Sequence, residues 1–350
     1  MRTRVTDLFG VKYPIMLSGM GWISVPRIVA AVSNAGGLGI LATGVMDASE
    51  TRKAVHETKK LTDKPFGINA ALLFPGAVEN VKVGLEEKVP VINFSLGKGD
   101  WIAKAAHEYG GKVIATVVND RHAKRAQDYG CDGLVVTGHE AAAHGGDATS
   151  LVLVPAIVDA VDIPVIAAGG FADGRGLMAA LALGADGIAM GTRFMTTKES
   201  PLHDKGKDLS VEKGVTDTIY GPYFDGLGCR SMKTKAAEKA YRRGFLGLPN
   251  FPVAVINSRT MAKIYNFPHL KFLVGILSSG WKNIVQMSYM ANALPAMQVA
   301  TEDGEMENKG VLPAGQCMGL IHGVPTVSEL LESIMAEANE VREKLNSAIS

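Results

Sequence analysis

The sequence predicts a (β/α)8 TIM barrel with a helical insertion after the eighth strand. Three observations point there. Short runs that are apolar on both faces recur eight times in the first 195 residues. Amphipathic segments separate them. The runs start 21–31 residues apart, the pitch of a βα unit. An open doubly wound sheet is the rival, but such a sheet does not call for eight near-equal units.

The runs are PIMLS (14–18), LGILAT (38–43), PFGINA (65–70), VPVINFS (89–95), KVIATV (112–117), GLVVTG (133–138), PVIAAGG (164–170) and GIAMGTRF (187–194). A strand buried on both faces of a parallel sheet reads this way. Between them SVPRIVAAVSNAGG, DASETRKAVHETKKLTD and NDRHAKRAQDYG read as helices, with Ser, Asn or Asp near their starts. After residue 197 the rhythm stops. TKAAEKAYRRGFLG, PVAVINSRTMAKIY, HLKFLVGILSSG and WKNIVQMSYMANALPAMQ read as helices rich in Met, Phe and Tyr, with Lys and Arg between them. The expected division is a barrel over 1–199 and 311–350, with a helical insertion or lid over 200–310. The last segment, VSELLESIMAEANEVREKLNSAIS, reads as a long amphipathic helix packed on the barrel or on a second subunit.

Bulk properties narrow the class. Net charge is +1, so the chain lacks the basic excess of a nucleic-acid binder. Cys131, Cys229 and Cys317 are odd in number and lack CxxC spacing, which argues against a disulfide framework or a cysteine zinc site. The amino terminus shows no signal-peptide pattern, and no run approaches the ~18 apolar residues of a membrane span. A cytoplasmic protein without a membrane partner is expected, with a homo-oligomer left open.

Functional groups of such a barrel gather at the C-terminal ends of its strands. The first strand runs into Ser18-Gly19-Met20-Gly21-Trp22, the third ends in Asn69, and the sixth runs into GHEAAAHGGDAT (138–149). The seventh ends in Gly169-Gly170 and the eighth in Gly191-Thr192-Arg193. Glycines let backbone N–H groups approach an anion, and a helix start adds further donors. Two such turns in succession, after the last two strands, predict a phosphate-bearing ligand. The apolar, aromatic rim suits a flat cofactor better than a sugar phosphate.

These segments resemble a known family. PIMLSGMGW, the GGLG of SNAGGLGIL, KPFGIN, GHEAAAH, AAGGFADGRG and GADGIAMGTRF are similar to the nitronate monooxygenase (2-nitropropane dioxygenase) family, and AGQCMGLI (314–321) resembles its late element. That family includes FMN-dependent enoyl reductases and NADH:quinone reductases. The resemblance implies an FMN-containing barrel. It places Ser18, Gly19 and Met20 against the flavin, and Asn69 at its ring or ribityl region. It places Gly169, Gly170, Gly191 and Thr192 at the phosphate and Gln316 near the flavin, and it makes His144 the catalytic histidine. The long helical segment resembles members proposed to act on acyl-CoA substrates. Some quinone-reductase-like members carry a lysine at the end of strand 5, where this chain has Thr116.

His139 and His144 are five apart, not four, so they would not share one face of a helix as zincin ligands do. No metal is expected. His144 suits a proton donor or acceptor near neutral pH, whereas His139 reads as structural and Glu140 as a partner of backbone N–H groups or of a histidine. Asp173 and Arg175 read as a cap of the helix after strand 7. Cys229 is a candidate nucleophile without an evident base. Arg230, Lys233, Arg242 and Arg243 could receive a phosphate or CoA group, or form a solvated face. There is no GxGxxG dinucleotide motif, so NADH or NADPH would serve as a transient co-substrate over the flavin.

The sequence thus leads to an FMN-dependent oxidoreductase that exchanges hydride between NAD(P)H and an enoyl or cyclic acyl thioester. Nitronate oxidation with O2 is the first alternative and NADH:quinone reduction the second. A flavin-free barrel for a sugar phosphate or nucleotide, and a non-catalytic scaffold, are the readings from other classes.

Overall fold

The structure, a computed structural model, describes residues 1–243, 251–266, 268–278 and 280–349. Eight strands form one parallel sheet: β1 (Ile15–Leu17), β2 (Gly39–Ala42), β3 (Phe66–Ala71), β4 (Val91–Ser95), β5 (Lys112–Val117), β6 (Gly133–Thr137), β7 (Val165–Ala168) and β8 (Gly187–Met190). Their order is β1-β8-β7-β6-β5-β4-β3-β2. β1 pairs with β8 from Ile15 opposite Ile188 to Leu17 opposite Met190. It meets β2 at the Met16–Leu38 bridge, where Leu38 N–H donates to Ile15 O at 2.9 Å. The sheet therefore closes on itself, and all eight expected strands are present.

The alternation of side chains divides the core in two. Met16, Ile40, Val91, Ile114, Val135, Ile166 and Ala189 fill the barrel interior. Their strand neighbours, among them Leu17, Leu41, Ile68, Ile92, Leu134 and Ile188, face outward onto the helices. The first helix, α1 (Arg4–Phe9), plugs the bottom of the barrel with Val5 and Phe9. Arg4 grips Asp186 there through two bonds of 2.9 and 2.8 Å.

The outer layer is α2 (Pro26–Asn34), α3 (Ala48–Leu61), α4 (Ala77–Glu86), α5 (Asp100–His107), α6 (Asp120–Asp128), α7 (Ser150–Val158) and α8 (Gly174–Ala182). α3 starts in a capping box between Asp47 and Glu50. α8 starts on Asp173, whose Oδ1 accepts from Gly176 N–H at 2.9 Å while Arg175 pairs with its other oxygen. The cap expected there is present.

Beyond β8 come the short α9 (Thr192–Met195) and α10 (Asp204–Glu212). The sequence suggested helices and loops only. Instead an antiparallel hairpin follows, β9 (Thr218–Gly221) and β10 (Cys229–Met232). Its strands are four residues each, too short to show a period of two against the helical background. The helices α11 (Lys235–Arg243), α12 (Phe251–Ile264), α13 (His269–Ser278) and α14 (Trp281–Glu302) then lie where expected. Residues 244–247, Ser279 and Ser350, at the ends of predicted helices, lie outside the described residues, as does the Arg243 side chain.

This segment sits on the mouth of the barrel. Met261, Met290 and Leu294 pack with Trp22 and Phe74 from the barrel loops. The Tyr265 hydroxyl donates to Gly44 O at 3.3 Å. The chain returns through a 3-10 turn (Gln316–Leu320) to α15 (Val327–Ile349). α15 packs on the barrel: the Glu337 carboxylate accepts from Gly174 N–H at 2.7 Å. No helix among the described residues is long and apolar enough to cross a membrane.

Candidate active site

One cavity of about 710 Å³ opens at the C-terminal ends of the strands, under Tyr265 and α14. Ser18, Gly19, Met20, Asn69, His144, Gly169, Gly170, Gly191 and Thr192 all line it. Gln316 does not, although its neighbours Gly315 and Cys317 do. Its N–H donates instead to Glu140 O at 3.0 Å, joining the returning chain to the loop after β6. Gly315 N–H donates to the Thr192 hydroxyl at 2.9 Å, so that side chain is held by the same segment.

The two glycine turns lie on the wall of this cavity. Gly169 and Gly170 have φ of +98° and +86°, a conformation that favours glycine. Among the described residues, the N–H groups of Gly169, Gly170 and Gly191 donate to no protein acceptor. These glycines are half-buried at the cavity, so water or an anion can accept from them. Three such donors at the rim of one cavity, two made by left-handed glycines, fit the phosphate of FMN.

The loop after β1 is locked by Ser24, which is 1% exposed. Its hydroxyl donates to Ser18 O at 2.7 Å and accepts from Met20 N–H at 3.0 Å. Beside this loop a polar chain crosses three strands. Asn69 Nδ2 donates to Asn93 Oδ1 at 2.5 Å, and Asn93 Nδ2 donates to Thr116 Oγ1 at 3.1 Å. Asn93 was not picked out from sequence, because VPVINFS reads as an unbroken apolar strand. Thr116, noted there for the absent lysine, closes the chain.

The stretch GHEAAAH is a loop, as its glycine flanks suggest. His139 Nδ1 bonds Gly146 O at 2.9 Å, and its ring meets Tyr220 edge-on. Glu140 accepts from Ser150 N–H at 2.9 Å and so orients backbone, not a histidine. His144 Nε2 lies 2.7 Å from Asp225 Oδ2, in the loop between β9 and β10. The Asp225 side chain is 2% exposed and that of His144 28%. Burial pulls the imidazole pKa down, but the hydrogen bond and the charge of Asp225 outweigh it, and the net shift is upward from 6.5. Nothing local in GLGCRSMKT or its flanks marks Asp225, which is 81 residues from its partner.

Other candidates resolve differently. Cys229 is fully buried, and burial pushes its thiol well above the usual range, which removes it as a nucleophile. Arg230 is 4% exposed, with its guanidinium on His139 O (2.9 and 3.1 Å) and Thr218 Oγ1 (2.8 Å). It is a structural clamp, not a free phosphate receptor. Lys233 is exposed, and Arg242 is exposed beside Glu238 at 4.0 Å.

The chain is similar to known proteins over most of its length. The nitronate monooxygenase family model matches residues 2–80 and 74–337. The chain belongs to the nitronate monooxygenase family. It is 36% identical over 344 residues to a Rhodococcus jostii (3aS,4S,5R,7aS)-5-hydroxy-7a-methyl-1-oxo-octahydro-1H-indene-4-carboxyl-CoA dehydrogenase, covering 97% of this chain and 96% of that one. It is 29% identical over 299 residues to a probable nitronate monooxygenase of Staphylococcus aureus, covering 72% and 84%. The structure of FabK from Thermotoga maritima superposes with a TM-score of 0.83 at 36% identity, over 99% of each chain. This nitronate monooxygenase family member is thus an oxidoreductase on a (β/α)8 barrel, acting on a small molecule, in a family of flavoproteins that use FMN.

Proposed function

We propose that the protein uses FMN to exchange hydride between NAD(P)H and an enoyl or cyclic acyl thioester. The observation that carries this reading is the single cavity that joins the orphan N–H groups of Gly169, Gly170 and Gly191 to His144 beneath the helical segment. When bound, FMN supplies the two-electron chemistry. The glycine N–H groups grip its phosphate, with Thr192 beside them. The loop of Ser18, Gly19 and Met20 and the amide of Asn69 place its ring. Gln316 supports this face through Glu140.

His144 donates a hydrogen bond to the substrate oxygen on which negative charge develops. Met290, Leu294, Met297 and Tyr265 close the site with apolar surface, which excludes water and accepts a hydrocarbon ring system. The acyl-CoA relative, matched over nearly its whole length, supports a thioester substrate. The relatives named nitronate monooxygenase support a second reading, oxidation of an alkyl nitronate with O2. A quinone is the third acceptor. The helical segment over 200–310 acts as a lid in each case.

Anaerobic mixing of the FMN-loaded protein with NADH, NADPH or an alkyl nitronate separates these readings. Bleaching of the flavin by a nicotinamide, followed by reoxidation with an enoyl thioester, is the expected result. Bleaching by nitronate alone selects the second reading. Reoxidation by quinone but not by thioester selects the third.

A further inference from the structure

We infer that Asp225 is a positioning residue for His144: its carboxylate binds Nε2, fixes the ring, and leaves Nδ1–H to meet the carbonyl oxygen of an acyl thioester. The inference rests on the proposed role of His144 and assigns the lid region a part in the chemistry.

The geometry is that of a pre-organised pair. Asp225 Oδ2 holds His144 Nε2 at 2.7 Å, and Oδ1 accepts from Leu227 N–H at 3.1 Å. Gln286 of α14 anchors the same residue, donating from Nε2 to Asp225 O at 2.7 Å. The histidine is fixed from the other side. Ala143 and Arg230 exchange two backbone bonds of 3.1 and 3.0 Å, which stitch β10 to the loop after β6. The Tyr220 hydroxyl donates to Gly145 O at 3.2 Å. Residues 143 and 145 are therefore both tied to the hairpin, and His144 between them faces its loop. Among the described residues, Nδ1 has no hydrogen-bond partner.

Charge balance gives the pair its direction. Asp225 is buried, and His144 is the basic group against it, which raises the imidazole pKa. The other groups around the pair do not compete. Cys229 has its Sγ within 4.8 Å of a ring nitrogen of His144 and a carboxylate oxygen of Asp225 but stays a neutral thiol, and Arg230 points at His139 O. The pair favours the protonated imidazole, which donates at both nitrogens. A donor suits an oxygen that gains charge as hydride adds to the β-carbon of an enoyl thioester. A base that removes a proton would need the opposite poise.

Two readouts test this: histidine 15N NMR titration of the FMN-loaded protein, with His144 assigned by loss of its signal in His144→Gln, and the pH profile of kcat/KM for crotonyl-CoA reduction. Asp225→Asn is expected to lower the His144 midpoint and to cut kcat/KM about a hundredfold near neutrality, the scale of one acid–base group. FMN content and the KM for nicotinamide should stay unchanged, and Asp225→Glu should restore much of both losses. An unchanged midpoint and rate in Asp225→Asn, with His144→Gln inactive, would overturn the role of Asp225 alone. Full activity of His144→Gln would remove the role of His144 and this inference with it. Should Asp225→Asn fail to fold, a wild-type midpoint at or below that of free imidazole would overturn the pairing.

Discussion

Gly19 and Asn69 are packed so closely that a Cβ on Gly19 would lie 2.5 Å from the Cβ of Asn69 and 2.9 Å from its Oδ1. The first strand loop and the third strand end therefore form one surface, and the glycine sets where the amide sits. Gly19→Ala should push Asn69 off its bond to Asn93. Overpacking of this kind costs about 1–3 kcal/mol. Fluorescence titration with FMN should show binding weakened by roughly tenfold or more, with circular dichroism unchanged. Wild-type affinity in this variant would rule out Asn69 as a flavin contact.

Gly169→Ala tests the phosphate cradle. The residue has φ of +98°, and a Cβ would sit 3.0 Å from Gly138 O. Strain of about 1–3 kcal/mol is expected, and it falls on the turn proposed to hold the phosphate. The purified variant should carry less FMN than wild type, and added inorganic phosphate should protect it less against thermal unfolding. Gly110→Ala, at φ of +83° in a turn with open space around it, is the control for strain without a ligand.

Asp186 marks the opposite end of the barrel. It accepts from Arg4 and from Val165 N–H at 3.0 Å, and its side chain is 12% exposed. Asp186→Ala leaves the Val165 N–H buried without that acceptor and should cost about 1–3 kcal/mol. Arg4→Ala should cost about 1 kcal/mol or less, because the arginine is half exposed. Urea unfolding measures both. Neither change should alter FMN affinity, since stability lies at this face and ligand chemistry at the other.

The His144–Asp225 pair makes stability depend on pH. The folded imidazole pKa is raised above 6.5, so its contribution is fully present below pH 6.5 and is lost as pH rises through the folded value. The stability gap between wild type and Asp225→Asn should therefore be largest at pH 6 and shrink towards pH 9. A gap that grows with pH would mean that the imidazole is neutral in the fold.

The barrel was legible because its signals are local. Runs such as GLVVTG and PVIAAGG are apolar on both faces wherever they are met, and Asp173 caps α8 using only residues within three positions of it. The glycine turns were legible for the same reason. The hairpin was not, because Thr218–Gly221 and Cys229–Met232 carry too few residues to display a period. Arg230 misled because a buried clamp and a solvated phosphate receptor use the same side chain. Only its 4% exposure separates them.

By itself the sequence determined eight βα units, two glycine turns after the last strands, and a histidine on the loop after the sixth. Each depends on neighbours in the chain, through hydrophobic periodicity, backbone freedom and capping. The tertiary structure decided which distant groups meet. It set Asn93 between Asn69 and Thr116, and it carried Asp225 across 81 residues to His144. A bond of that kind depends on how a hairpin docks on a loop, and no local pattern encodes where two surfaces will touch.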